Sequence, residues 1–218
     1  KHFQELLSMS KAKSAFIQFV FYGAYFLMAV PAGMLMQKVG YKRGIIIGLL
    51  LFAGGAFLMF PATFIQTFGS FLICLFIIAC GLTCLETAAN PYTTVLGPPE
   101  YAERRINFSQ SFNGLGWIAG PLVGGMLIFS GSGGGNKFST IALPYMLIGT
   151  LVLIVAIFFW RIKFPPVREE IEESIADNSG SIMDLLKYPH FILAVVAQFL
   201  YVAAQTGVNS FFINYVTE

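Results

Sequence analysis

The chain has 218 residues, 56% of them hydrophobic and 11% charged, with a net charge of +2. Soluble domains carry about 25% charged residues, so this composition excludes a soluble globular protein and points to a polytopic membrane protein. No basic cluster that would track phosphates is present, so no nucleic-acid partner is expected. Three cysteines, Cys74, Cys80 and Cys84, fall in one apolar run without a nearby histidine. They read as small buried apolar residues, not as a zinc site or a disulfide.

A membrane-crossing helix needs about 20 apolar residues. Six segments qualify: 14–36, 44–64, 68–96, 106–130, 140–161 and 190–215. The first residue is Lys1, not Met, and the chain ends a few residues past an apolar span. It therefore reads as a fragment of a longer transporter-like protein.

The first two spans are joined by Gly33-Met-Leu-Met-Gln37-Lys38-Val-Gly40-Tyr41-Lys42-Arg43. Glycines seven apart bracket a tight turn, and basic residues follow at once. This connector resembles the signature loop of the major facilitator superfamily, which implies a gating role for Gly33, Gly40, Lys42 and Arg43. Gln37 stands where that family has an aspartate, and Tyr41 where it has a basic residue. The 44–64 span is almost entirely Ile, Leu, Phe, Ala and Gly. Gly54, Gly55 and Ala56 permit close helix contact, Pro61 marks its outer end, and the span is expected to be supporting or lipid-facing.

The third span ends in Cys84-Leu85-Glu86-Thr87-Ala88-Ala89-Asn90-Pro91. Glu86 is the one carboxylate at membrane depth. An intramembrane carboxylate is costly, and by default it marks a substrate, ion or proton pathway. The bland alternative is a protonated glutamate bonded between helices. Thr83, Glu86, Asn90 and Thr93 share one helix face by spacing. Asn90-Pro91 is expected to interrupt the backbone ladder, because Pro91 has no N–H.

The fourth span carries Asn107, Gln110 and Asn113 every three residues. Such amides either bond neighbouring helices or line a wet cavity. Gly116, Gly120 and Gly124 follow at four-residue spacing, which predicts a close-packing groove. The run Gly116 to Gly125 also resembles the glycine–proline motif of drug antiporters. The outer loop 131–136 is a flexible tip, and Trp160-Arg161 anchors the fifth span at the interface. The connector 162–189 is long and charged, and Ser181 to Pro189 within it has the signs of a short interfacial helix with a serine cap. His2 and His190 lie at segment edges. In the last span Gln198, Tyr201, Gln205 and Asn209 fall on one face, which suits a cavity or an inter-bundle hydrogen-bond seam.

Basic residues set the orientation. Lys38, Lys42, Arg43, Arg104, Arg105, Arg161, Lys163, Arg168 and Lys187 collect on one side, read as cytoplasmic.

Three stretches taken together are similar to the fucose–galactose–glucose:proton symporters of the major facilitator superfamily. They are Leu85 to Pro91, the Asn107/Gln110/Asn113 stripe, and Ala197-Gln198-Phe199 through Tyr201 to Ala204-Gln205-Thr206. The resemblance covers nearly the whole chain. It implies that Glu86 is the proton- and sugar-linked glutamate, that Gln110 and Asn113 are sugar contacts, and that the chain spans family helices two to seven.

The expected fold is an all-α polytopic membrane protein, a truncated major facilitator of about six transmembrane helices. Residues 1–161 form an N-terminal bundle lacking its first helix, 162–189 a cytoplasmic loop, and 190–218 the first helix of a second bundle. The expected function is proton-coupled symport of a neutral monosaccharide across the bacterial inner membrane by alternating access. Glu86 couples the proton. Glu86, Asn90, Gln110, Asn113, Gln198, Tyr201, Gln205 and Asn209 bind the sugar. No cofactor, metal or catalytic residue is expected, and the full-length protein is expected to work as a monomer. The alternatives are an antiporter of drugs or metabolites and, behind it, a non-transporting receptor or scaffold.

Overall fold

Gly40 is where the first helical run turns. The computed structural model describes residues 11–130, 137–164 and 182–217. In it, helix extends over Lys11–Ile65 with one non-helical residue inside, Gly40, at φ 76° and ψ 168°. Such a backbone is open to glycine and costly for any residue with a Cβ. The two arms are α1 (11–39) and α2 (41–65). The expected connector thus shrinks to one residue, which keeps most backbone polar groups in intrahelical bonds, as lipid demands.

α3 is Phe68–Val95 and runs straight through Pro91. This corrects the expected interruption at Asn90-Pro91. A proline withholds one donor from the ladder, and the surrounding helix absorbs that loss. Pro61 likewise sits inside α2, which continues to Ile65. After α3 come a 3-10 turn at Pro99–Tyr101, α4 at Ala102–Ser130 and α5 at Lys137–Arg161. The short α6 is Ile182–Leu185, and α7 is Pro189–Thr217. No strand occurs among the described residues. The loop 131–136 and the expected cap Ser181 lie outside them.

Among the described residues, four stretches are long and apolar enough to cross a membrane: Phe16–Ile65, Phe68–Val95, Ala142–Arg161 and Pro189–Val208. The first holds two of the expected spans, one on each side of Gly40. α4 also has the length to cross, at 29 residues.

The chain divides into two units, Lys1–Arg168 and Glu169–Glu218. In the first, α3 and α5 pack against the α1–α2 run, and α4 leans on α3 and α5. The core has two clusters. One joins Ala32 and Met36 of α1, Ile45 and Leu49 of α2, Cys84 and Ala88 of α3 and Ala156 of α5. The other joins Ala56, Met59 and Ala62 of α2 to Phe71, Cys74, Leu75 and Ile78 of α3. Between them α2 and α3 touch backbone to backbone. A Cβ on Gly48 would lie 2.8 Å from the Leu85 nitrogen, and one on Gly81 would lie 2.8 Å from the Gly48 carbonyl oxygen. Gly55 meets the Ile78 nitrogen just as closely. So α2 is a packed partner of α3, not only a supporting or lipid-facing helix, while Gly54 has open space beside it. Cys74 and Cys84 are buried, Cys80 is partly so, and all three are free.

Gly116, Gly120 and Gly124 differ from expectation. Nothing lies within 4 Å of a Cβ built on any of them. No packed groove forms there among the described residues.

In the second unit, Lys187 just past α6 pairs with Asp184 within it at 2.6 Å. The rings of Tyr188 and His190 lie 5.6 Å apart at the start of α7.

Candidate functional site

The close approach at Gly48 and Gly81 fixes the rotation of α3. Leu85 is held against α2, and Cys84 and Ala88 are fully buried. Residues two positions from both Cys84 and Ala88 must then face away from the core, because helical side chains advance about 100° per residue. Glu86 is that residue, and it is exposed. Its Oε1 accepts a hydrogen bond of 3.2 Å from the Tyr25 hydroxyl of α1. Tyr25 is half-buried, and its ring leans on Phe21 with centroids 5.7 Å apart.

Tyr25 escaped the reading of the sequence. A signal was present: Gln18, Tyr22 and Tyr25 step by four and three along an otherwise apolar span, which is one helix face.

One turn beyond Glu86 on the same face of α3, Asn90 meets α4. Gln110 Nε2 donates to Asn90 Oδ1 at 3.3 Å, and Asn113 Nδ2 donates to Gln110 Oε1 at 3.1 Å. The structure therefore joins Asn90, Gln110 and Asn113 as one polar band on adjoining helices, with Glu86 one turn away on α3. Asn107 is exposed, and its carbonyl accepts from the Ser111 hydroxyl at 3.0 Å.

Two threonines leave the expected stripe. Thr83 is only 4% exposed, and its hydroxyl donates to the Ala79 carbonyl at 2.8 Å. The Thr93 hydroxyl donates to the Ala89 carbonyl at 2.7 Å. Each hydroxyl is satisfied within its own helix, as is common for Ser and Thr in apolar surroundings. Spacing alone put them on the Glu86 face; the α2–α3 seam turns Thr83 inward.

Gln198, Tyr201 and Gln205 are exposed on α7. The side chain of Asn209 lies outside the described residues.

The candidate gating residues serve different ends. Gly33 is an ordinary helical position in α1 with free space beside it. Gly40 makes the turn. Lys42 reaches the C-terminal end of α5, donating from Nζ to the carbonyls of Trp160 at 3.2 Å and Ile162 at 2.6 Å. It also lies 5.6 Å from the Phe164 ring centre. A cation there meets the negative end of the helix dipole. Arg43 is exposed. Arg105 does for α3 what Lys42 does for α5, donating to the carbonyls of Thr93, Thr94 and Pro98 at 3.1, 2.6 and 2.8 Å. The rings of Tyr41, Tyr92 and Phe164 stack between these two caps, with centroids 5.9 and 5.1 Å apart.

The major facilitator superfamily model matches residues 2–218. A glucose/galactose transporter of Brucella abortus is 37% identical over 221 residues, covering all of this chain and 53% of that protein. The L-fucose-proton symporter of Escherichia coli is 39% identical over 236 residues, covering 99% of this chain and 54% of the symporter. A crystal structure of an Escherichia coli fucose:proton symporter superposes with a TM-score of 0.79 at 38% identity, over 98% of this chain and 56% of that one. The chain thus spans about half the length of the curated relatives it matches.

Proposed function

The chain belongs to the major facilitator superfamily, and from that premise we propose that it is part of a symporter carrying a neutral monosaccharide with a proton. It supplies the N-terminal helices of that transporter and the first helix of the second bundle, in a bacterial inner membrane. The relatives are transporters, not enzymes. Their names, for glucose, galactose and fucose, support a sugar as cargo.

The observation that carries the reading is one exposed carboxylate beside a chain of amides. Glu86 stands on α3 next to the Asn90–Gln110–Asn113 band. Amides offer both donors and acceptors, which suits sugar hydroxyls. The band holds no cation that would select an anionic cargo. A carboxylate is costly at membrane depth, and protonation removes that charge. Sugar bound to the amides and a proton on Glu86 then cross together while the two bundles rock around the site. Gln198, Tyr201, Gln205 and Asn209 are the proposed contribution of α7. Lys42 and Arg43 lie on the cytoplasmic side in this reading.

The test is Glu86→Gln in the full-length transporter, reconstituted in vesicles. A neutral glutamine releases no proton but keeps hydrogen-bonding groups. Sugar-driven proton movement should be lost, while exchange of labelled for unlabelled sugar continues. Wild-type proton movement in this variant would remove Glu86 from the coupling role. Stronger transport of an organic cation than of any sugar would favour an antiporter.

A further inference from the structure

Glu86 has two carboxylate oxygens, and the structure treats them differently. Oε1 accepts the Tyr25 hydroxyl at 3.2 Å, and this is the only hydrogen bond to the Glu86 side chain among the described residues. The partner comes from α1, sixty-one residues away in sequence. The amides on α4 meet Asn90 instead and leave Glu86 alone.

The phenol is itself well held. Its ring packs on Phe21, which lies against the core cluster of α2 and α3. Ala24 and Ala32 on the same helix are fully buried, which sets the rotation of α1. A donor fixed in this way can orient a flexible glutamate without giving up its own proton. A phenol is far weaker as an acid than a carboxylic acid.

We infer that Tyr25 is the positioning residue of the proton carrier: its hydroxyl holds Oε1, so that the travelling proton binds and leaves at Oε2. The inference rests on the proposed coupling role of Glu86. The proton adds to Oε2 to give a neutral carboxyl whose carbonyl oxygen is Oε1, still accepting from Tyr25. Release breaks the Oε2–H bond and restores the carboxylate. Tyr25 keeps its proton throughout. With Oε1 occupied, a sugar hydroxyl near Glu86 meets the same oxygen as the proton. This makes the state of one atom depend on both cargoes.

The experiment uses Tyr25→Phe in the full-length reconstituted transporter, with Tyr22→Phe as control. Tyr22 is the exposed neighbour one turn away, and its ring meets Phe21 edge-on. Tyr25→Phe keeps the ring contact with Phe21 and removes only the hydroxyl. Sugar-driven proton movement should fall by about tenfold, the scale of one hydrogen bond to a charged group. Sugar exchange should stay within about twofold, because a neutral sugar contact is worth less. Tyr22→Phe should change neither. A purely structural role for Tyr25 would lower both activities together, and that outcome overturns the inference.

An infrared measurement decides independently. The protonated Glu86 carbonyl band, identified by its absence in Glu86→Gln, should move to higher wavenumber in Tyr25→Phe. A band that stays in place overturns the inference. If Tyr25→Phe does not reach the membrane, carbon-13 tyrosine labelling of the wild type replaces it. A tyrosine band should then respond to Glu86 protonation and fall silent in Glu86→Gln; no such band overturns the inference. Should Glu86→Gln still move protons, the coupling role itself falls. Should it fail to move them while Tyr25→Phe moves them normally, only the positioning role falls.

Discussion

Two sets of glycines in this chain behave in opposite ways. Along the α2–α3 seam, Gly48, Gly55 and Gly81 lie against the backbone of the facing helix. Along α4, Gly116, Gly120 and Gly124 face open space. Small residues allow close approach in a membrane, where packing replaces the hydrophobic drive. They do not name a partner. The seam closes because Cys84, Ala88, Ala56 and Ile78 supply buried neighbours on both sides. α4 has exposed Trp117, Ile118 and Leu122 around its glycines instead. The same contrast separates the polar residues. Those on α3 have defined directions because α3 is locked to α2, while Gln198, Tyr201 and Gln205 on α7 are exposed.

The largest effect should come from adding one methyl group at each glycine set. Gly81→Ala puts a Cβ 2.5 Å from the Phe52 nitrogen, against backbone that cannot yield. Overpacking of this kind costs about 1–3 kcal/mol, and thermal unfolding in detergent should show it. Gly120→Ala meets nothing and gains helix propensity of up to about 1 kcal/mol. Equal losses at both sites would mean that the α4 stripe is also a packed seam.

A smaller split is expected at the basic turn. Lys42→Ala removes two bonds to the α5 carbonyls, a loss of about 1–2 kcal/mol. Arg43→Ala, on an exposed residue, should stay within about 0.5 kcal/mol. Melting temperatures of the two variants measure the difference, and its reversal would give Arg43 the structural role.

The finest test concerns the amides. Gln110 is the middle link, bonded to both Asn90 and Asn113. Gln110→Ala should weaken sugar binding by about 1 kcal/mol or a little more, and Asn113→Ala and Gln205→Ala by about 1 kcal/mol or less. Equilibrium binding of labelled sugar decides. Unchanged binding in all three would make the amides bonds between helices and nothing more.

What the sequence determined by itself follows from the cost of polar groups in lipid. Long apolar runs must be helical to satisfy their backbone, so the helices could be read within a few residues of their observed ends. A lone carboxylate among apolar residues is too costly to be incidental, so Glu86 stood out without any structure. Periodicity also placed Gln110 and Asn113 on a shared stripe. The tertiary structure decided everything that depends on a partner distant in sequence. It turned Thr83 into the core and let α3 pass through Pro91. It chose the Gly48–Gly81 crossing over the α4 glycines. It sent Lys42 to the end of α5, and it set the Tyr25 hydroxyl on Glu86. Local spacing fixes which side chains share a face, but the direction of that face is set by helix–helix packing, which joins residues distant in sequence.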